Sequence, residues 1–203
     1  TSSTMNASNQ LPTPPDKDDI NALPLTHFRG AVHLIQTAEA VPGAVADIAQ
    51  ERLLGFDTET KPSFRRGVRN PPALLQLATA RAVFLFRLTL LEGLPEALRP
   101  ILADPATLKV GVAVRDDVAD LKRYHDFQDA GFVDLGELSR KLDLKTNGLR
   151  TMAASLLGVR ISKAARTSDW SRPNLSLRQI RYAATDAWIS RELFRKLREL
   201  GLV

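Results

Sequence analysis

Two carboxylates stand one residue apart near the end of an apolar run, Leu53-Leu54-Gly55-Phe56-Asp57-Thr58-Glu59-Thr60. Alternate side chains of an extended strand share a face, so Asp57 and Glu59 point one way and Phe56 and Thr58 the other. Two such charges in a segment hydrophobic enough to be buried are costly unless a cation compensates them, and a hard divalent metal is the natural candidate. An exposed strand end followed by a polar turn is the plainer alternative. Farther along, Val114, Asp117, Leu121 and Tyr124 fall on one helical face, which directs Asp117 inward and leaves Asp116, Asp120 and Arg123 as a solvated set. Capping of a helix N-terminus accounts equally well for Asp117 alone. Tyr182 and Asp186 stack on a stripe that continues into Ile189 and Leu193. A hydrogen-bonded core Asp and a packed Tyr would each be unremarkable on that stripe. The combination is what calls for another account. Four inward-directed acids and a phenol, spread over a strand end and two helices, suit a pair of hard divalent ions.

Composition narrows the chemistry further. The chain has 203 residues, 44% of them hydrophobic, enough to bury a full core in one domain. It has no cysteine, which excludes disulfides, thiolate chemistry and cysteine-bound zinc, and its three histidines make a histidine-rich metal site a poor expectation. Any metal must then sit mainly on oxygen. No apolar run is long enough to span a bilayer and no basic-then-apolar signal segment opens the chain, so the expectation is a cytoplasmic protein with no membrane partner. The net charge of +5 is compatible with a polyanionic partner.

Positioning these residues falls to the following elements. Residues 1–24, rich in Ser, Thr, Asn and Pro, are expected to form a flexible arm, with a single domain over 25–203. A short strand at Ala31 to Ile35 and a helix over Ala38 to Gln50 precede the acidic strand. Ala73 to Thr79 and Ala82 to Arg87 form a hairpin, Leu91 to Leu102 a helix, Leu108 to Val112 a strand, Asp116 to His125 a helix, and Phe132 with Val133 a further strand. Short helices over Gly136 to Leu142 and Leu149 to Leu157 lead to a long closing helix, opened by a Ser176/Gln179 capping box. The expected fold is α/β, a mixed five-stranded sheet flanked by helices with the acidic strand near its centre.

Phe56-Asp57-Thr58-Glu59-Thr60, then Val110-Gly111-Val112 with Asp117 six residues after the glycine, then Tyr182-Ala183-Ala184-Thr185-Asp186-Ala187 resemble the three motifs of the DEDD exonuclease superfamily. Tyr182, four residues before Asp186, is similar to the DEDDy branch, which includes ribonuclease D and the Werner syndrome exonuclease domain; Ser168-Asp169-Trp170-Ser171 resembles the region preceding its last motif. The resemblance runs from about residue 28 to the C-terminus. It implies a ribonuclease H-like fold and stepwise 3′-to-5′ hydrolysis of single-stranded or partly duplex nucleic acid, RNA or DNA, releasing nucleoside 5′-monophosphates with two ions, Mg²⁺ or Mn²⁺. Carried over, Asp57, Glu59, Asp117 and Asp186 are the metal-site acids, Asp117 acting through water, and Tyr182 orients the attacking water. An aromatic that closely follows the Asp of the second motif in the Werner protein has no counterpart at Val118 or Ala119, which puts recognition of the strand end in question. The competing expectation is a catalytically weak nucleic-acid-binding module of the same fold.

Two basic loops flank the motifs. Lys61, Arg65, Arg66 and Arg69 follow the first, and Lys163 and Arg166 precede the last helix, suited to sequence-independent attraction of phosphates. Phe64 and Trp170 are expected to stack on bases.

Overall fold

The computed structural model describes residues 13–146 and 148–203. In chain order the elements are α1 (Lys17–Ala22), β1 (Leu25–Thr26), β2 (Ala31–Ile35), α2 (Val41–Ile48), β3 (Leu53–Thr60), β4 (Pro72–Ala78), β5 (Ala82–Arg87) and α3 (Arg99–Ala103). They continue with β6 (Leu108–Gly111), α4 (Val114–Leu121), β7 (Phe132–Asp134), α5 (Leu135–Lys141), α6 (Leu149–Met152), β8 (Arg160–Ile161) and α7 (Leu177–Glu199). The main sheet has the order β2-β5-β4-β3-β6-β7. It holds six strands rather than five, because Ala31–Ile35 pairs in parallel with β5 and forms one edge. The acidic strand β3 lies inside it, antiparallel to β4 and parallel to β6.

The strand alternation divides the core. Leu54 and Phe56 of β3 join Leu75, Leu77, Phe84 and Phe86 under α2, α3 and α4. On the other face Leu74, Ala78, Val83 and Leu85 pack beneath Ala183, Ala184 and Ala187 of α7. Asp57 and Glu59 follow the α7 face and Thr58 the α4 face, as the two-residue period requires.

Two features fix α7 on β3. The Arg191 Nε donates to the Leu53 carbonyl at 3.0 Å in a buried contact. At Gly55 the helix backbone approaches so closely that an added Cβ would lie 1.8 Å from the Ala187 oxygen. Two strand residues advance about 6.6 Å and four helical residues about 6 Å. The pairing of 53 with 191 and 55 with 187 therefore stays in step toward the acids and brings Tyr182 and Asp186 alongside Asp57 and Glu59. The helix starts where the capping box predicts: Ser176 accepts from the Gln179 N–H and the Gln179 side chain accepts from the Ser176 N–H.

Several helices are shorter than periodicity suggested. The stretch expected to be helical over Leu91 to Leu102 is a 3₁₀ turn at Glu96–Leu98 followed by α3. The helix expected over Leu149 to Leu157 widens after Met152 into a π turn, which ends on Gly158 with φ +64°. The expected N-terminal arm falls partly on residues 1–12, which lie outside the described residues; within its remainder Asp16 and Asp19 form a capping box for α1. No helix among the described residues is long and apolar enough to cross a membrane.

Candidate active site

β3 outlasts its parallel neighbour. β6 pairs with it only through Gly55↔Val110, and its last residue, Gly111, leads into α4, leaving one side of Phe56 to Thr60 open to that helix. The turn into α4 is tight: a Cβ on Gly111 would lie 2.4 Å from the Phe56 carbonyl oxygen, and Ala113 takes the left-handed conformation, φ +56°. Asp134 secures the far side, its carboxylate accepting from the Val114 N–H of α4 and the Gly136 N–H of α5.

The structure gathers Asp57, Glu59 and Asp186, with one carboxylate oxygen from each within 4.8 Å of the others. Asp117 stands beside this group on the α4 side, where the Thr58 hydroxyl donates to its Oδ1 at 2.9 Å. Burial, then Glu59, Asp186 and Asp117, raise the Asp57 carboxyl well above its ordinary range; burial, then Asp186, do the same to Glu59. Asp57 retains some accessible surface although its carboxylate is enclosed by protein. Asp186 is pushed up to about 6 by burial, with Arg150 and Tyr182 opposing the rise. Asp117 is pushed up to about 7 by burial, opposed by the Thr58 hydroxyl. Each cause names the same missing positive charge. The donor set is all oxygen, three of its members lie at chelating separation, and the Asp186 Oδ1 is buried without a hydrogen-bond partner. These residues fit a hard divalent cation.

Tyr182 is buried beside the cluster. Burial, then the Asp186 and Glu59 charges, raise its hydroxyl above the ordinary tyrosine value, so it stays protonated at neutral pH. Behind it lies Trp170, with ring centroids 5.9 Å apart. Trp170 is fully enclosed, which corrects its assignment as a base-stacking platform: it packs in the core under α7 and backs the phenol. The Ser168-Asp169-Trp170-Ser171 segment is tied to α7 through the Gln179 side-chain amide, which donates to Ser168 Oγ and to the Asp169 carbonyl, both at 3.1 Å.

The loop residues meet different fates. Phe64 is 98% exposed, and Lys61, Arg65, Arg66, Lys163 and Arg166 are exposed as well. Lys61 approaches Asp169, so the two basic loops come together on one rim. Arg69 instead pairs with Asp120 at 2.6 Å. Asp120, expected to be solvated, is buried because Arg69 and Arg123 both reach it.

Three participants escaped the sequence reading. Gln76 is wholly buried opposite Asp57 and donates to Glu59 Oε1 at 3.3 Å. A lone amide inside the apolar strand Pro72–Ala78 was its visible signal. Arg150, in the first turn of α6, brings its charge to Glu59, Tyr182 and Asp186 while donating to the Ser162 carbonyl. Nothing in its local sequence distinguishes it. Gly55, whose missing side chain admits α7, reads from the sequence only as a glycine in a strand.

Comparison with known proteins agrees with this geometry. The 3′-5′ exonuclease domain model matches residues 32–201. Exonuclease 3′-5′ domain-containing protein 2 of Drosophila melanogaster is 34% identical over 149 residues, 72% of this chain and 25% of that protein. The bifunctional 3′-5′ exonuclease/ATP-dependent helicase WRN of Mus musculus is 29% identical over 188 residues, 88% of this chain and 13% of that protein. The chain thus spans a quarter or less of the length of these two curated relatives. The EXO domain of Aedes aegypti Nibbler shares the ribonuclease H-like fold, with a TM-score of 0.78 at 22% identity over 86% of this chain and 92% of that one. With its fold, its motif acids and 170 consecutive residues matched, the chain belongs to the 3′-5′ exonuclease domain family.

Proposed function

We propose that residues 25–203 form a metal-dependent exonuclease domain that removes nucleoside 5′-monophosphates one at a time from the 3′ end of a nucleic-acid strand. The observation that carries this reading is the cluster of Asp57, Glu59 and Asp186 at chelating separation, all with raised carboxyl pKa values. Two ions, Mg²⁺ or Mn²⁺, fit the reading; held by these acids, with Asp117 contributing through water, they supply charge that stabilises the phosphoryl transition state and acidifies water. In the overall reaction water adds to phosphorus, the bond to the 3′ oxygen of the preceding nucleotide breaks, and that oxygen takes a proton.

The chain's own residues divide the remaining work. Tyr182 keeps its proton at neutral pH, so it orients the attacking water by hydrogen bonding rather than acting as a base. Gln76 and Thr58 hold Glu59 and Asp117 in place. Exposed Lys61, Arg65, Arg66, Lys163 and Arg166 attract phosphates, and Phe64 stacks on a base. Either RNA or DNA satisfies this chemistry, since none of these contacts requires a 2′-hydroxyl.

Labelled RNA and DNA oligonucleotides incubated with Mg²⁺ or Mn²⁺ test the reading. A ladder shortening from the 3′ end, with mononucleotide product, is expected, and Asp57→Ala should lower its rate on the order of 10³-fold. Equal cleavage by wild type and Asp57→Ala would assign the activity elsewhere.

A further inference from the structure

Beside the acid cluster lies a cleft that the hydrolytic chemistry leaves unused. Its volume is about 440 Å³, and it opens between the first turns of α7, the β1–β8 ribbon and the loop that follows the ribbon. Tyr182 forms part of its wall, so a single side chain belongs to both cleft and candidate active site. The cleft is a built feature. Leu25 pairs with Arg160 and Thr26 with Ile161, and the Phe28 N–H donates to Thr185 Oγ1 at 3.0 Å, one residue from Asp186.

Its chemistry is one-sided. Arg178 and Arg181, both exposed, line it from neighbouring turns of α7, and no acidic residue lines it. Arg69, Arg99, Arg191 and Arg195 each face a carboxylate, whereas neither Arg178 nor Arg181 has an ion-pair partner among the described residues. An adjoining cleft shares Arg181 and adds Arg29. Desolvation, then the charges of Arg181 and Arg29, hold the His27 imidazole below its ordinary value, in keeping with a positive field there. Against this charge stand two apolar side chains in the same lining, Leu25 and Leu177, which are 55% and 70% exposed. Guanidinium groups for a phosphate next to an apolar surface for a base match the two halves of a nucleotide.

We propose that this cleft is a second nucleotide subsite, in which Arg178 and Arg181 hold a backbone phosphate and Leu25 and Leu177 cover the base of a nucleotide upstream of the scissile bond. The assignment rests on the exonuclease reading, for a strand whose 3′ end lies among the acids and whose body leaves past Tyr182. The same nucleotide chemistry could be supplied by a free mononucleotide, and the test separates the two sources.

Fluorescence anisotropy of labelled DNA and RNA strands of about 12 nucleotides, in EDTA, measures binding without turnover. The double variant Arg178→Ala/Arg181→Ala should bind roughly tenfold to hundredfold more weakly, and its salt dependence should flatten by about 1.4 logarithmic units, about 0.7 for each lost phosphate contact. Arg178→Lys/Arg181→Lys should recover most of the affinity. Wild-type affinity and salt slope in the alanine variant would overturn the subsite. If AMP displaces the strand from wild type but not from the alanine variant, the cleft takes free nucleotide, and the upstream-strand assignment fails. The p-nitrophenyl ester of thymidine 5′-monophosphate carries one nucleotide and cannot reach the cleft, so the alanine variant should hydrolyse it at the wild-type rate. Loss of that turnover would place the arginines in the reaction and refute a separate subsite. A wild-type protein that binds strands through these arginines but cleaves nothing would refute the exonuclease reading while upholding the cleft, because the binding arm stands without turnover.

Discussion

Gly55→Ala is the sharpest test of how this site is assembled. The added methyl would lie 1.8 Å from the Ala187 carbonyl oxygen and 2.7 Å from its carbon. Carbon and oxygen come no closer than about 3.3 Å even in the attractive contacts between strands, so about 1.5 Å must open between β3 and α7. Neither neighbour yields easily. The obstructing atoms are helix backbone, Ala78 Cβ stands 3.1 Å away on the other side, and Arg191 ties the helix to Leu53. Overpacking of this kind costs about 1–3 kcal/mol of stability. The displacement also moves Asp186, the residue before Ala187, away from Asp57 and Glu59. A misplacement of about 1 Å costs on the order of 10²-fold in rate, so turnover should fall at least that far in protein that still folds. Steady-state cleavage of a labelled oligonucleotide gives the rate, far-UV circular dichroism establishes the fold, and calorimetric titration with Mn²⁺ shows whether ion affinity falls in parallel. A folded Gly55→Ala protein with wild-type turnover and ion affinity would refute the idea that the depth of α7 sets the site.

Three further outcomes follow from the same structure. In chelator, the native state keeps protons on Asp186 and Asp117 that the unfolded chain releases near pH 4, so stability should fall as pH rises from about 4 through their folded values of about 6 and about 7; thermal melts between pH 5 and 8 check this, and saturating Mg²⁺ should flatten the trend. Trp170→Ala should cost about 3–5 kcal/mol in denaturant unfolding, because it empties a fully buried aromatic site behind Tyr182; a loss below 1 kcal/mol would contradict that packing. Ala113→Gly should raise stability by about 1 kcal/mol in the same assay, since Ala113 holds a left-handed conformation that glycine adopts without strain.

The acids were legible because their signal is local. A two-residue spacing on a strand and a four-residue spacing on a helix each fix a shared face without knowledge of the partner. The capping box at Ser176 was legible for the same reason. What stayed hidden depends on contacts remote in sequence. Trp170 follows a polar, basic loop and looks exposed until α7 folds over it. Asp120 seems a surface acid until Arg69, from a loop two strands earlier, reaches it. Arg150 acquires its place only when α6 docks near α7, and the edge strand Ala31–Ile35 joins the sheet only through β5, some fifty residues later. The role of Asp117 was half visible: periodicity turned it inward, but only the early end of β6 shows why it meets Thr58 instead of the three clustered acids.

The matched advance of β3 and α7 has a mechanical consequence. Because Leu53 with Arg191 and Gly55 with Ala187 lie along one shared track, the two elements work as a vernier whose divisions agree only in this alignment. A single residue inserted into α7 between Asp186 and Arg191 would swing the acid about 100° around the helix axis relative to the anchor. A residue inserted in β3 between Leu53 and Asp57 would turn both strand acids toward α4. The spacing inside each motif and the spacing from motif to anchor are therefore one measurement, so the far end of the last helix is as much a part of the site's geometry as the carboxylates themselves.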